Sequence, residues 1–135
     1  MKLGFIGCGN MATAIIGGII ENGIISSEDI NVYDVYAPAA KKLNEKYGVT
    51  ILGEEPEVIR KSDAVILAVK PNVLGGVLAK INIALSDSDT LLISIAAGKE
   101  LKYMRSHLSH DNRMIRVMPN INAKVGAAMS AFTAN

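Results

Sequence analysis

Tryptophan is absent from this sequence, and two Phe and four Tyr are its only aromatic residues. The core must therefore be built from Ile, Val, Leu, Ala and Met, which a 135-residue chain with 50% hydrophobic residues can supply. Cysteine occurs once, which excludes an internal disulfide and fits a reducing compartment. Neither sign of charge dominates: a net charge of +1 gives no reason to expect a nucleic acid or a membrane surface as partner. Long hydrophobic runs are missing too. The longest, at 64–69 and 91–97, fall far short of a bilayer span. The apolar start at Leu3 carries neither a basic region nor a cleavage site. No repeat or low-complexity stretch interrupts the chain. These absences leave a cytoplasmic domain as the expectation, with residues 1–135 forming a single domain.

What is present is a regular alternation. Residues 3–6 form a short apolar run, and apolar positions at helical spacing follow over 11–22. The same reading gives strands at 30–34, 49–52, 64–69, 90–95 and 114–118. Helices fall between them at 37–47, 56–61, 71–85 and 101–108, and 126–132 adds one more candidate strand. The continuous apolar runs at 64–69 and 90–95 read as strands covered on both faces, as in a parallel sheet. Strand-helix alternation of this kind implies an α/β, doubly wound parallel sheet of the Rossmann type, with helices on both faces. Gly17 and Gly18 inside the first helix, at about 1 kcal/mol each relative to Ala, imply a close approach there by the sheet or another helix. Asn22-Gly23 is a good helix stop, with Gly23 suited to the left-handed position beyond the cap.

The join between the first strand and first helix reads Gly7-Cys8-Gly9-Asn10-Met11-Ala12. A G-x-G-x-x-A string is a weak signal alone; between a strand and a helix it points to a dinucleotide. Gly7 permits the tight turn, Gly9 lets a pyrophosphate approach the backbone, and Ala12 lets the helix pack close to the strand. The helix N-terminus then offers amide hydrogens to the phosphates.

In an open parallel sheet, ligands sit beyond the carboxyl ends of the strands. Asp34 closes the second strand, 25 residues after Gly9. It is either the acid that holds the adenosine ribose, favouring NAD, or a turn residue. After 64–69 come Lys70 and Pro71, the lysine lying near phosphates or pointing to solvent. After 90–95 come Ala96, Ala97 and Gly98, small enough for a flat ring to lie against backbone. Asn120, after the strand at 114–118, carries a donor and an acceptor. His107 and His110 have metal-compatible spacing, yet no Cys or acidic cluster completes a set, so no metal is expected. Cys8 stands at a helix start, which can lower a thiol pKa. With no base placed beside it, it reads as a small filler. Neither a nucleophile elbow nor a Walker lysine is present, and no residue is assigned a catalytic role.

Four strings occur in order: Gly4-Phe5-Ile6-Gly7-Cys8-Gly9-Asn10-Met11, Ala68-Val69-Lys70-Pro71, Ser94-Ile95-Ala96-Ala97-Gly98 and Arg116-Val117-Met118-Pro119-Asn120. Together they resemble the N-terminal cofactor domain of pyrroline-5-carboxylate reductases. The resemblance implies NAD(P)H-dependent reduction of 1-pyrroline-5-carboxylate to L-proline, the last step of proline biosynthesis. It also implies a following helical domain, absent here, that makes the homo-oligomer and most of the substrate site, so that this chain alone is inactive. By the same resemblance Ile6, Gly7, Cys8, Gly9, Asn10 and Met11 hold the pyrophosphate. Ala68, Val69, Lys70 and Pro71, with Ile95, Ala96 and Ala97, line the adenosine and nicotinamide path, and Asn120 lies near the nicotinamide. Two departures stand out. Asn120-Ile121-Asn122-Ala123 replaces the family's frequent Asn-Thr-Pro. Asp34-Val35-Tyr36 stands where the family, which commonly prefers NADPH, often has Ser, Asn or Arg. NADP is favoured by the resemblance and NAD by Asp34. Other imine or hydroxyacid reductases, and a stand-alone nucleotide-binding module, are the competing readings.

Overall fold

The computed structural model describes residues 1–95, 101–109 and 112–117, together with a strand at 132–134. Strand β1 (Leu3–Ile6) leads into helix α1 (Asn10–Glu21), and β2 (Ile30–Tyr33) into α2 (Ala37–Tyr47). Then come β3 (Thr50–Ile51), α3 (Glu55–Arg60), β4 (Ala64–Leu67), α4 (Pro71–Ser86), β5 (Leu91–Ser94), α5 (Leu101–Ser106), β6 (Met114–Val117) and β7 (Phe132–Ala134). All the expected helices form, with ends within two residues of those read from the sequence.

The strands make one sheet in the order β3-β2-β1-β4-β5-β6-β7. The first six run parallel, as the alternation implies. The seventh corrects that reading at the edge: β7 is antiparallel to β6, with Val117 opposite Phe132. The expected strand at 126–132 meets it only at its last residue, since 126–131 lie outside the described residues.

Both faces of the central strands are covered, so β1 and β4 have no exposed residue. Phe5, Val32 and Ile66 pack beneath α1 and α2 with Ile15, Ile16 and Leu43. Ile6, Val65 and Leu67 point the other way, against Leu74, Leu78 and Ile81 of α4 and Met104 of α5. Alternation along each strand sends successive side chains into these two cores. Each fully buried Leu or Ile contributes roughly 1.5–3 kcal/mol.

Helix ends follow local chemistry. At the end of α1, Ile24 N–H donates to Ile19 O (3.0 Å) and Gly23 N–H to Ile20 O (3.1 Å), with Gly23 at φ +65°. This is the paired capping arrangement that a glycine beyond the cap permits. The close approach implied by Gly17 is made by α2: a Cβ on Gly17 would lie 2.6 Å from the Tyr47 hydroxyl.

Candidate cofactor cleft

The chain leaves β1 for α1 on one face and β4 for α4 on the other, and β1 and β4 are neighbours. Strand order reverses between them, opening a crevice at their carboxyl ends. A cleft of about 530 Å³ lies there. It is lined by the glycine turn (Ile6, Gly7, Gly9), the end of β2 (Tyr33 to Tyr36), Glu55, the β4–α4 turn (Ala68, Val69, Lys70) and one stripe of α4.

Gly7 is fixed by geometry. Its φ is +101°, and a Cβ there would stand 2.4 Å from the Ala68 carbonyl oxygen. Its amide donates to Tyr33 O at 2.8 Å. The residue therefore serves the turn, as the sequence implied, and also the close passage of the β4–α4 backbone. Gly9 differs. Its φ of −79° suits any residue, and a Cβ there would meet nothing within 4 Å. No packing within the described chain accounts for a glycine at this position, whereas a group seated against the backbone does. The first intrahelical bond of α1 is Thr13 N–H to Gly9 O at 2.9 Å. The amides of Asn10, Met11 and Ala12 precede it, and no acidic side chain occupies the first turn. That is the arrangement which receives a phosphate.

Asp34 ties the turn to β2. Its Oδ2 accepts the Cys8 amide at 2.7 Å and its Oδ1 the Tyr36 amide at 2.8 Å. The turn role considered for this acid is thus real, and the residue also lines the cleft. Cys8 is 5% exposed, and its thiol pKa is pushed up to about 12 by burial and by the nearby Asp34 charge. The lowering that a helix start can produce does not occur, because desolvation of the thiolate outweighs it. The filler reading holds.

Of the residues expected from sequence, Ile6, Gly7, Gly9, Asp34, Ala68, Val69 and Lys70 line the cleft. Cys8, Asn10, Met11 and Pro71 adjoin it in the chain without lining it. Lys70 is exposed and caps α4, with Pro71 in the first turn. Ile95 follows β5, its amide donating to Leu67 O at 3.2 Å. Ala96, Ala97 and Asn120 lie outside the described residues. His107 packs on Tyr103 with ring centroids 4.5 Å apart, its Nδ1 lying 2.9 Å from the Tyr103 carbonyl oxygen, and His110 lies outside the described residues.

Sequence reasoning missed the wall opposite the glycine turn. Val73, Gly76, Val77 and Lys80 recur at helical spacing and face the cleft together. Gly76 was the available signal: a Cβ there would meet nothing within 4 Å, while one on Gly75 would meet the Tyr103 hydroxyl at 2.8 Å. Glu55 was also missed. It is 6% exposed and faces Lys80 Nζ at 3.4 Å.

A sequence profile described as the NADP oxidoreductase, coenzyme F420-dependent, family matches residues 2–98. The chain belongs to this family. Within it, the chain is 43% identical to a Methanosarcina acetivorans pyrroline-5-carboxylate reductase over 131 residues, covering 97% of this chain and 48% of that protein. A Coxiella burnetii pyrroline-5-carboxylate reductase structure aligns with a TM-score of 0.83 at 33% identity, over 88% of this chain and 44% of that one. A Plasmodium falciparum pyrroline carboxylate reductase, solved with NADP bound, gives 0.81 at 29% identity, over 100% of this chain and 48% of that one. The chain spans about half the length of the relatives it matches.

Proposed function

We propose that residues 1–135 form the cofactor domain of a pyrroline-5-carboxylate reductase and hold a nicotinamide dinucleotide in the cleft at the β1–β4 switch point. The observation that carries this reading is Gly9, a glycine that neither backbone conformation nor packing among the described residues requires, set before the three amides that precede the first intrahelical bond of α1, in a chain 43% identical to such a reductase. When bound, the dinucleotide would supply the hydride for the C=N carbon of 1-pyrroline-5-carboxylate, the ring nitrogen taking its proton from water, to give L-proline. The chain's own residues bind and orient. The amides of Asn10 and Met11 receive the pyrophosphate, with Ile6, Gly7, Cys8 and Gly9 forming the turn beneath it. Ala68, Val69, Lys70 and Pro71 flank the path of the dinucleotide. By resemblance, Ile95, Ala96 and Ala97 line the adenosine and nicotinamide path with them, and Asn120 lies near the nicotinamide. The remainder of the substrate site and the homo-oligomer contacts belong to the half of the relatives' length that this chain does not span. Nucleic acid and membrane play no part, and the work is cytoplasmic.

NADPH is the favoured cofactor, and NADP is bound in the related Plasmodium falciparum structure. Asp34 argues for NADH, because a carboxylate beside the ribose repels a 2′-phosphate. Fluorescence titration of both reduced dinucleotides decides the matter. The wild-type chain is expected to bind dinucleotide with little turnover of 1-pyrroline-5-carboxylate. In Asp34→Ser the affinity ratio is expected to move toward NADPH by roughly tenfold, one charge contact being on the order of 1.4 kcal/mol. Failure of both dinucleotides to bind would overturn the reading, and an unchanged ratio would remove Asp34 from the ribose site.

A further inference from the structure

The β3 end of the cleft carries an ion pair that nothing among the described residues explains. Glu55 is buried, and among the described residues its one hydrogen-bond partner is Lys80 Nζ, at 3.4 Å from Oε2. Burying a carboxylate with a single long contact is unfavourable, and such a group ordinarily acquires more partners. Capping of α3 does not supply the reason. No side chain caps the helix, and the turn before it is held by Glu57, whose Oε1 accepts the Gly53 amide at 2.8 Å. Lys80, with 61% of its side chain exposed, reaches down from α4 to the acid across the cleft wall.

We infer that the Glu55–Lys80 pair reads the edge of the purine base of the bound dinucleotide. The inference rests on the proposed cofactor reading. Topology sets the order along the cleft. The glycine turn ends β1, Asp34 ends β2, and Glu55 follows β3, while the sheet runs β3-β2-β1 at this end. A nucleotide with its phosphate at β1 and its ribose at β2 therefore extends its base toward β3 and meets Glu55. The walls at that point suit a flat ring. Val35 is 81% exposed, Tyr36 67% and Val73 44%, and all three line the cleft with Gly76, which offers no side chain. Exposed apolar groups gathered on a cleft are the usual lining of a ligand site.

The polar pair matches the N6/N7 edge of adenine. That edge presents an amino donor beside a ring-nitrogen acceptor, and a carboxylate next to an ammonium presents the complement. The 6-amino group donates to Glu55, and N7 accepts from Lys80. On the same edge hypoxanthine presents two acceptors, O6 and N7, and sets one of them against the carboxylate.

The test uses the chain with whichever of NADPH or NADH binds more tightly, alongside the hypoxanthine analogue of that dinucleotide. Nicotinamide fluorescence reports each dissociation constant. Wild type is expected to bind the analogue roughly tenfold or more weakly. In Glu55→Gln, whose amide both accepts and donates, the analogue is expected to regain affinity until the two constants agree within about twofold. Lys80→Met, on an exposed side chain, is expected to weaken the adenine form. Equal affinities in wild type, or an unchanged ratio in Glu55→Gln with native circular dichroism, would overturn the inference. If neither NADPH nor NADH bound the wild type, the cofactor reading beneath the inference would be overturned instead.

Discussion

At the scale of single residues, the two glycines of the turn occupy one motif for different physical reasons. Gly7 combines a φ of +101° with a Cβ position 2.4 Å from a carbonyl oxygen. Gly7→Ala is expected to cost at least about 2 kcal/mol in urea unfolding, from backbone strain and overpacking together. Gly9 has φ −79° and open surroundings. Gly9→Ala is expected to leave unfolding within about 0.5 kcal/mol of wild type while weakening dinucleotide binding by roughly tenfold or more, since the methyl occupies the place where a pyrophosphate meets the backbone. The motif's spacing names both residues. It does not tell the glycine that packing requires from the one that stands in open space, because that difference lies in the Ala68 carbonyl, sixty-one positions away from Gly7 along the chain.

At the scale of elements, periodicity carried the fold and left part of the site unread. Helices and parallel strands were legible because their cores need apolar residues at fixed intervals, and a sheet covered on both faces shows as unbroken runs such as 64–67. The cleft side of α4 was not legible. Val73 and Val77 look like core positions in the sequence, and only assembly shows Val73 44% exposed in the cleft while Leu74 is buried. Glu55 carries no periodic or motif signal, and its burial comes from α4 packing over α3. The glycine pair in α4 separates in the same way. Gly75 admits Tyr103 and His107, whereas Gly76 faces the cleft. Gly76→Ala is accordingly expected to stabilise the unliganded chain by roughly 0.5–1 kcal/mol through helix propensity. The same methyl narrows the slot, so dinucleotide affinity is expected to fall. Urea unfolding and fluorescence titration read these opposite signs on one variant, and a variant that bound as tightly as wild type would place the ligand away from α4.

At the scale of the whole molecule, the sheet ends differently on its two sides. On one, β3 is two exposed residues long, a short edge that offers little to a foreign strand. On the other, antiparallel β7 lies beyond six parallel strands. Among the described residues no helix is long and apolar enough to cross a membrane. The fold also has a pH dependence that begins at its one thiol. The ordinary Cys8 pKa of 9.0 rises to about 12 in the folded chain. Above pH 9 the unfolded chain has lost this proton and the folded chain retains it until about 12. Stability is therefore full below pH 9 and declines as pH rises toward 12. Cys8→Ala lacks this contribution, so the stability gap between wild type and variant is expected to shift in the variant's favour between pH 8 and 10.5. A constant gap in denaturant titrations would deny the burial of the thiol.

The same thiol makes the cofactor turn observable without any added probe. The chain has one cysteine, and it sits sealed at the turn beside the Asp34 strap. A disulfide reagent can reach it only through a transient opening of the turn, so the labelling rate counts those openings as hydrogen exchange counts the breaking of amide bonds. A ligand that settles on the turn shortens the time the door stands open. Chemistry confined to a single sulfur atom would then report, from inside the core, when the cleft is in use.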